Sequence, residues 1–583
     1  MDRSTIKKGA FSLLSAVICS YSCCSLFTDF SIFGALTFPL TLIFLYLFKK
    51  LRETSDPLRT GAEIPKSYSV ILPIVSVLFG FCISVSGGVE KFFGGMNGLG
   101  LLRAAVQVCG ISYLSFVFFR AVTLSAFGKS FCDGKFRIKP VFLFLITFIC
   151  FIFYYLCLFP GMLNPDNFAQ LYQCEDLSTL SNHHPVLHTM LLYLFVIRLG
   201  HGSPVLYFLF QIAVISLIFT YALNKLQILT GSKLFVLACI LFYAVFPLNG
   251  YGASSMTKDY LFGAFCLLYA VCLSDILLSK GEALKKPSSL ILFIVGALGT
   301  LFLRNNGFMI VLLSGIPAIF MLRRCRVRFI SAVSATVLIF ALAVAVIYPA
   351  LGIIKSETVE SLGVPIQQMM YTVKEDGNIS PEDSEYLQSI IPKETVKEEY
   401  DPYTVDPIKF SDDFNGEVIS NDIPRFFVTW LRLLIHNPSE YFISYFRLSE
   451  MLWDPFVECG MLESHTVSPH FTKSQPRPLI PILPGIIQSV VDVWQFSDLS
   501  AVFHFVWNPA VYLFASFLLF AVCLLKKRGR LWPLFMVSWS IWISLMLAIP
   551  AALAGRYTYG VILCLPLYAA LTFKTEERET ENG

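Results

Sequence analysis

Residues 139–160 read KPVFLFLITFICFIFYYLCLFP, and this stretch decides the fold class. Between a basic flank and Pro160 it is apolar for about 20 residues, the length that crosses the hydrocarbon core of a bilayer as a helix. Similar runs recur along the whole chain, so the sequence predicts an all-α integral membrane protein with about 14 transmembrane helices. The predicted spans lie near 10–28, 31–48, 69–86, 99–119, 139–159, 204–223, 233–248, 260–279, 288–303, 307–322, 329–350, 508–525, 531–551 and 557–573.

The composition agrees with a membrane environment. Hydrophobic residues make up 56% of the chain and charged residues only 14%, against roughly 25% charged in soluble globular proteins. The net charge of +4 comes without a long basic tail, which makes nucleic acid an unfavourable partner and membrane lipid a natural one. The basic N-terminal flank has no small-residue cleavage site after its apolar run, so we expect a retained first span.

Basic loops predict the orientation. Lys and Arg stay on the cytoplasmic side of short loops, and the loops around 49–52, 135–139, 285–286, 323–328 and 526–530 all fall on one side of this topology. Both termini are then cytoplasmic. The apolar segment 186–197 has only about 12 residues, too few for an ordinary crossing. Counting it as a span would invert every later basic loop, so we expect a helix lying on, or dipping into, the outer surface.

The topology divides the chain into four parts. Residues 1–125 form N-terminal transmembrane helices, and residues 126–350 form a core whose first outer loop covers 160–203. A mixed extracytoplasmic region, 351–506, precedes the last three helices, and 507–583 hold those helices and a short cytoplasmic tail. Cys174 and Cys459 both fall outside in this topology, where a disulfide between them is compatible with the sequence.

The first outer loop carries an acidic and histidine-containing pattern. Asn164-Pro165-Asp166 follows a span directly, and the pairs Glu175-Asp176 and His183-His184 come after it. A structural interpretation is available, because Asn is a good N-cap, Pro suits the first helical position and an acid complements the helix dipole.

Three cations reach the same predicted face. Lys258, Arg304 and the Arg556-Tyr557 pair lie where helices meet the outer surface, the side that positive residues normally avoid. Each one alone is compatible with an interfacial anchor. Together they favour a lipid phosphate or pyrophosphate, because Arg contacts phosphate oxygens in a bidentate manner and Lys supplies a point charge.

These motifs resemble the GT-C superfamily of membrane glycosyltransferases, in particular a largely uncharacterised bacterial branch. The resemblance covers roughly 139–573. It implies transfer of a sugar from a polyprenyl-phosphate-linked donor to a glycan or lipid acceptor of the cell envelope, at the extracytoplasmic face of a bacterial plasma membrane. It also implies roles for two sets of residues. The catalytic candidates are Asp166, Glu175, Asp176, His183 and His184, and the donor-phosphate candidates are Lys258, Arg304, Arg556 and Tyr557.

The sequence does not decide whether the site binds a metal ion. Many GT-C members carry two acids separated by one residue, whereas here Asp166 is followed by Asn167. Carboxylates such as Asp166, Glu175 and Asp176 would suit Mg²⁺ or Mn²⁺, and without a metal the arginines would stabilise the leaving phosphate. Zinc is disfavoured, because adjacent histidines point apart and no conventional third ligand is evident.

Other functions remain as alternatives. A lipid-linked glycan flippase or another transporter predicts ionisable groups near the middle of spans, whereas the charges here gather at the outer ends. A glycan polymerase or ligase would have a nearly identical sequence. A noncatalytic scaffold is the structural alternative, although grouped charges at the membrane surface are costly without a use.

Overall fold

The computed structural model describes residues 3–27, 36–54, 63–94, 98–131, 135–457, 466–467, 482–483, 505–548 and 555–574. A helix overlaps each of the predicted spans. Eight helices are long and apolar enough to cross a membrane, namely Lys66–Ser86, Leu99–Phe127, Pro140–Cys157, Val205–Thr230, Lys233–Ser254, Lys258–Leu278, Arg326–Ala350 and Gly529–Leu547. The protein is therefore helical and multi-pass.

The N-terminal helices form a small bundle. Helix α5 is its centre, because α1 and α3 both pack along it and α2 packs on α1. Small and hydroxylated residues allow this close approach: a Cβ on Gly80 of α3 would lie 2.3 Å from the Ser112 hydroxyl of α5. The helices are α1 Arg3–Phe27, α2 Thr37–Thr54, α3 Lys66–Ser86, α4 Val89–Phe93 and α5 Gly98–Phe127.

The central part begins with the stretch quoted above. Helix α6 ends before the first outer loop, whose elements are β1, α7 and α8, and seven further helices follow. Helix α8 continues as a π-helix to Arg198 and is too short for an ordinary span, as the sequence predicted for this segment. The elements are α6 Pro140–Cys157, β1 Met162–Leu163, α7 Pro165–Glu175, α8 Val186–Leu192, α9 Val205–Thr230, α10 Lys233–Ile240, α11 Pro247–Ser254, α12 Lys258–Leu278, α13 Pro287–Leu303, α14 Gly307–Met321 and α15 Arg326–Leu342.

Helix α12 is the most enclosed helix of the described spans. Of its most apolar window 83% is buried, because α9, α13 and the last helix of the chain surround it. Small residues on its surface admit these neighbours: a Cβ on Gly263 would lie 2.5 Å from the Tyr559 ring. The two polar residues that begin α12, Lys258 and Asp259, are therefore carried into the interior of the protein.

The outer region has a hydrophobic core of its own, formed by residues such as Ile366, Met369, Leu387, Phe426 and Tyr441. We predicted a mixed region, but in the part that the structure describes it is helical, apart from β2 Thr466–Val467, which pairs antiparallel with β1. Capping residues explain the short helices, as where the Ser380 hydroxyl accepts from the Asp383 amide. The helices are α16 Gly363–Lys374, α17 Pro381–Ile390, α18 Lys393–Glu399, α19 Asp406–Lys409, α20 Gly416–Asn421, α21 Ile423–His436, α22 Pro438–Leu448 and α23 Glu450–Trp453.

The last three helices of the chain pack against the helices of the central part. Helix α26 packs on α12 and α24, and α25 packs on α14. Asn508 caps α24, since its side chain accepts from the Ala510 amide and Pro509 occupies the first turn. These helices are α24 Pro509–Leu525, α25 Trp532–Leu547 and α26 Tyr559–Phe573.

The bundle has two distinct ends. At one, which we call the basic end, residue 131 and the segments 135–137, 226–233, 526–531 and 571–574 contact one another, for example where Arg528 donates to the Leu571 carbonyl at 2.9 Å. At the other, the site end, the first outer loop meets the outer region, and the Asn182 amide donates to the Ile354 carbonyl at 2.9 Å. Two of the basic loops of the sequence, 135–139 and 526–530, therefore lie at the same end of the bundle.

Candidate functional site

The residues on either side of Asp166 fix its position. Asn164 and Asn167 form a reciprocal capping box at the start of α7, and Pro165 takes the first helical position. Just before them, Met162 pairs with Ser255 as a parallel bridge, and its carbonyl accepts from the Met256 amide at 3.0 Å. The capping role predicted for Asn164 is thus present, and the strand-like pairing brings the starts of α7 and α12 together.

Lys258 joins Asp166 to His184. Its Nζ atom lies 2.7 Å from Asp166 Oδ2 and donates to His184 Nδ1 at 3.4 Å. The Lys258 side chain is only 10% exposed, whereas that of Asp166 is 32% exposed. Asp166 is therefore the member of this group that a ligand arriving from the site end meets first.

The charges of this group are well defined. Burial alone would raise the pKa of Asp166, but the charge and the hydrogen bond of Lys258, together with His184 and Arg556, outweigh burial and hold that pKa below its ordinary value. Burial and the same ammonium lower the pKa of His184 to about 3. At neutral pH Asp166 is thus an anion, and His184 is a neutral imidazole that accepts from Lys258.

Asp259 is the centre of a second group. Its carboxylate is fully buried and pairs with Arg304, and Arg556 Nε lies 3.3 Å from its Oδ2 atom. The Tyr557 ring contacts both guanidinium groups, with centroid distances of 4.4 Å to Arg304 and 4.7 Å to Arg556. Two arginines therefore share one carboxylate and one aromatic ring, an arrangement that holds both guanidinium planes in place.

Local structure positions the two arginines. Arg304 ends α13 in extended conformation, and its carbonyl accepts from the Gly307 amide at 3.0 Å to start α14. A Cβ on Gly307 would lie 1.8 Å from the Thr300 carbonyl oxygen, so this tight turn requires glycine. Arg556 lies in a 3₁₀ turn, Gly555–Thr558, that leads into α26.

The ion pair between Asp259 Oδ2 and Arg556 Nε lacks hydrogen-bond geometry. Both atoms are buried, and neither has a hydrogen-bond partner among the described residues. Together with the first group, the site has three cations, Lys258, Arg304 and Arg556, and two carboxylates. Counted over these five side chains, and with His184 neutral, the cations exceed the carboxylates by one, which favours an anion at this site.

A buried chain of hydrogen bonds supports the site from beneath. His188 contacts Gln170 Oε1 at 3.1 Å and the Tyr207 hydroxyl at 2.8 Å, and Tyr207 donates to Gln211 at 2.8 Å. Gln211 in turn donates to the Ser255 carbonyl at 2.7 Å, just before Lys258. Because each member is buried and bonded, the chain fixes α7 and α8 against the start of α12.

The structure places three of the predicted catalytic residues outside this cluster. Glu175 and Asp176 lie at the opposite end of α7 from Asp166, about 14 Å along the helix axis. Asp176 accepts from Ser178, which lowers the pKa of its exposed carboxyl. His183 is exposed and contacts the site only through the His184 ring, with centroids 4.5 Å apart.

Two acidic residues were missed as site candidates. Asp259 was recognisable in principle, since it follows Lys258 in sequence, but its burial between two arginines depends on tertiary packing. Asp406 comes from the outer region, where burial raises the pKa of its carboxyl and the Asp166 charge contributes to that rise. No local pattern relates residue 406 to residue 166.

A metal does not fit the donor set. Among the described residues, no group of three or more His, Cys, Asp and Glu side chains could hold a metal ion. The nearest charged partner of Asp166 is the Lys258 ammonium, which competes with a cation for the same oxygen. The Mg²⁺, Mn²⁺ and zinc alternatives thus find no support in these residues, and we assign no step to a metal.

The predicted cysteine pair is only half described. Cys174 is buried in α7 as a free thiol and donates to the Thr189 carbonyl at 3.3 Å, while Cys459 lies outside the described residues. Cys174 thus helps to fasten α7 to α8.

Comparison with known protein families gives a match. Residues 172–583 match the model of DUF6020, a family of unknown function. The matched part includes Lys258, Asp259, Arg304 and Arg556 and begins after Asp166. No curated protein and no solved structure matches the chain. Because the matched residues make up more than half of the sequence, the chain belongs to the DUF6020 family.

Proposed function

We propose that the protein is a membrane glycosyltransferase that moves a sugar from a polyprenyl-phosphate-linked donor to a glycan or lipid acceptor. The observation that carries this proposal is the cluster with three cations and two carboxylates at one end of the helix bundle. An excess positive charge beside a partly exposed carboxylate suits a reaction in which a phosphate leaves and a hydroxyl loses its proton.

The proposal includes a topology of about 14 spans, with both termini in the cytoplasm and the site end facing outward from a bacterial plasma membrane. The eight longer apolar helices and the grouping of basic loops at the opposite end support this orientation. The donor lipid would then reach the cluster from the outer leaflet, with its phosphate at the level where the helices end.

In the proposed mechanism Arg304, Arg556 and Lys258 bind the donor phosphate, and Tyr557 keeps the guanidinium planes in place. The acceptor hydroxyl oxygen attacks the anomeric carbon of the sugar, and its proton passes to Asp166. The bond between the anomeric carbon and the phosphate oxygen breaks with its electron pair on that oxygen. Polyprenyl phosphate is thus released as an anion that the cations stabilise.

Lys258 gives this mechanism a means of activating Asp166. Without donor, Lys258 pairs with Asp166 and lowers the pKa of that carboxyl, so that Asp166 is a weak base. When the donor phosphate draws the Lys258 ammonium away, this effect weakens and the pKa of Asp166 rises. Asp166 thus becomes a better proton acceptor only when the donor is bound.

The position of the charges favours this function over transport. Between Asp259 and Asp275, helix α12 has no charged residue, although it is the most enclosed of the described spans. A transporter or flippase for lipid-linked glycans predicts ionisable groups along such a central helix.

The test is release of free polyprenyl phosphate from a panel of polyprenyl-phosphate sugars by the purified protein. We expect release by the wild type, a loss of at least about 100-fold in Asp166→Asn, and little change in Glu175→Gln. Glu175 is the matched control, because it is a carboxylate of the same helix outside the cluster. Equal activity of Asp166→Asn and wild type, with both folded, would contradict the mechanism.

A further inference from the structure

The N-terminal bundle contains two neighbouring cavities of different character. One, of about 80 Å³, has a mixed lining that includes Ser84, Gly88, Lys91, Arg103 and Gln107, and we call it the polar cavity because two cations line it. The other, of 270 Å³, is mainly apolar. It lies between α1 and α5, and its lining includes Val17, Tyr21, Leu102 and Val106. Arg103 lines both cavities, so a cation lies where the polar and the apolar space meet.

These cavities lie at the site end of the bundle. Ser86, at the end of α3, donates to Asp454 of the outer region at 2.8 Å, and Arg447 binds Glu90 of α4 at 2.8 Å. Arg103 is about 7 Å along α5 from its first residue. The cavities are therefore at the membrane surface that faces the outer region.

The apolar cavity opens toward the lipid. Leu99 and Leu102, which both line it, are 80% and 61% exposed at the start of α5. Side chains of this kind on a membrane helix face hydrocarbon rather than water. A lipid chain can therefore reach the apolar cavity sideways from the bilayer.

The polar cavity favours an anion. Lys91 and Arg103 both line it. Gln107 is buried and donates to the Ser84 carbonyl at 3.2 Å, and its amide group has a second hydrogen that can donate to a ligand. Two cations and an amide around a small polar space match the oxygens of a phosphate group.

We infer that these two cavities form a binding site for an anionic phospholipid of the outer leaflet, with its phosphate beside Arg103 and Lys91 and a hydrocarbon chain between α1 and α5. An arginine that only anchors its helix contacts headgroups in general. A site with a polar cavity on one side of the cation and an apolar cavity on the other selects one lipid. This inference is independent of the proposed glycosyl transfer, because it involves none of the residues of the cluster.

The experiment measures lipid retention by the full-length protein, purified and delipidated in detergent, using native mass spectrometry. The probes are phosphatidylglycerol, phosphatidylcholine and glycerol 3-phosphate. We expect one phosphatidylglycerol to bind, phosphatidylcholine to bind more weakly because its choline neutralises the phosphate, and glycerol 3-phosphate to show no binding at the same concentration.

Variants test the two cavities separately. Arg103→Ala removes the shared cation, and we expect about tenfold weaker phosphatidylglycerol binding, about 1.4 kcal/mol. Val106→Phe fills the apolar cavity and should weaken the binding of phosphatidylglycerol without changing the charge of the protein. Arg198→Ala is the matched control, because Arg198 is another exposed arginine outside both cavities, and it should leave binding unchanged.

Three results would overturn the inference. Equal binding of phosphatidylcholine and phosphatidylglycerol would indicate unselective lipid at the protein surface. Equal losses in Arg103→Ala and Arg198→Ala would indicate a general effect of surface charge. Binding of glycerol 3-phosphate as tight as that of phosphatidylglycerol would indicate a site for free phosphates. Unfolding temperatures of all variants, measured in the same detergent, verify that each is folded.

Discussion

Each end of helix α12 carries an acidic residue that pairs with a cation, and the surroundings of the two residues differ. Asp259 is fully buried, whereas Asp275 is partly exposed. At the basic end Asp275 pairs with Lys225 and accepts from the Tyr221 hydroxyl at 3.4 Å, so one cation meets one carboxylate. At the site end Asp259 is shared by two arginines, with Lys258 and Asp166 alongside. A balanced pair fastens helices together, whereas a cluster with excess positive charge needs a further anion.

The largest expected effect separates these two acids. Asp259→Asn leaves Arg304 and Arg556 facing each other without their shared anion, and we expect a loss of about 3 kcal/mol or more in unfolding free energy. Asp275→Asn removes a pair that is partly open to solvent, with an expected loss of about 1 kcal/mol. Unfolding of both variants in the same detergent provides the comparison. Similar losses would show that the two ends are equivalent.

A second prediction concerns the turn that positions Arg304. Gly307→Ala places a Cβ against the Thr300 carbonyl, and we expect a loss of about 1–3 kcal/mol from the shifted backbone. Gly315→Ala, in the same helix, is the control. Its nearest neighbour would be a Val333 methyl at 3.7 Å, so we expect no loss or a gain of up to about 1 kcal/mol. Equal changes in unfolding free energy for the two substitutions would contradict the requirement for glycine at position 307.

A third prediction concerns the dependence of stability on pH. The pKa of His184 is lowered to about 3 in the folded protein, while in the unfolded chain it is about 6.5. Stability is therefore fully present above pH 6.5 and declines as the pH falls toward 3, because only the unfolded chain takes up the proton. Melting temperatures measured at several pH values between 7 and 5 should show this decline.

The control for this effect is another histidine. His184→Gln should make the melting temperature less dependent on pH, while His436→Gln, at an exposed position of the outer region, should not. His188, whose pKa burial also lowers to about 3, contributes in the same direction, so part of the slope remains in His184→Gln. An unchanged slope in that variant would contradict the buried, neutral state of His184.

Much of the fold was predictable from local pattern. The length of the apolar runs predicted the positions of the helices, and the Lys- and Arg-rich loops predicted which ends of the helices lie together. Asn164-Pro165 predicted the start of α7. The common face of Lys258, Arg304 and Arg556 followed from counting crossings. These features depend on a few neighbouring residues, or on whether an odd or even number of spans separates two loops, and both can be read from a single sequence.

The remaining features depend on contacts between distant segments. Asp259 became central because α13 and α26 each direct an arginine at the start of α12, and Asp406 approaches Asp166 from a separate region of the chain. Glu175 and Asp176 were grouped with Asp166 by sequence proximity, but the length of α7 separates them. The mixed outer region was predicted from composition, whereas its short capped helices are defined by individual hydrogen bonds.

The most direct test of the central claim is binding of polyprenyl phosphate to the cluster, followed as the rise in unfolding temperature with added lipid. The account predicts a clear rise for the wild type and for Arg103→Ala, whose cation lies in the separate N-terminal bundle. In Lys258→Met we expect affinity at least about tenfold weaker, with Lys258→Arg closer to the wild type. An equal rise in the wild type and Lys258→Met would show that the excess charge at the site end does not bind the phosphate.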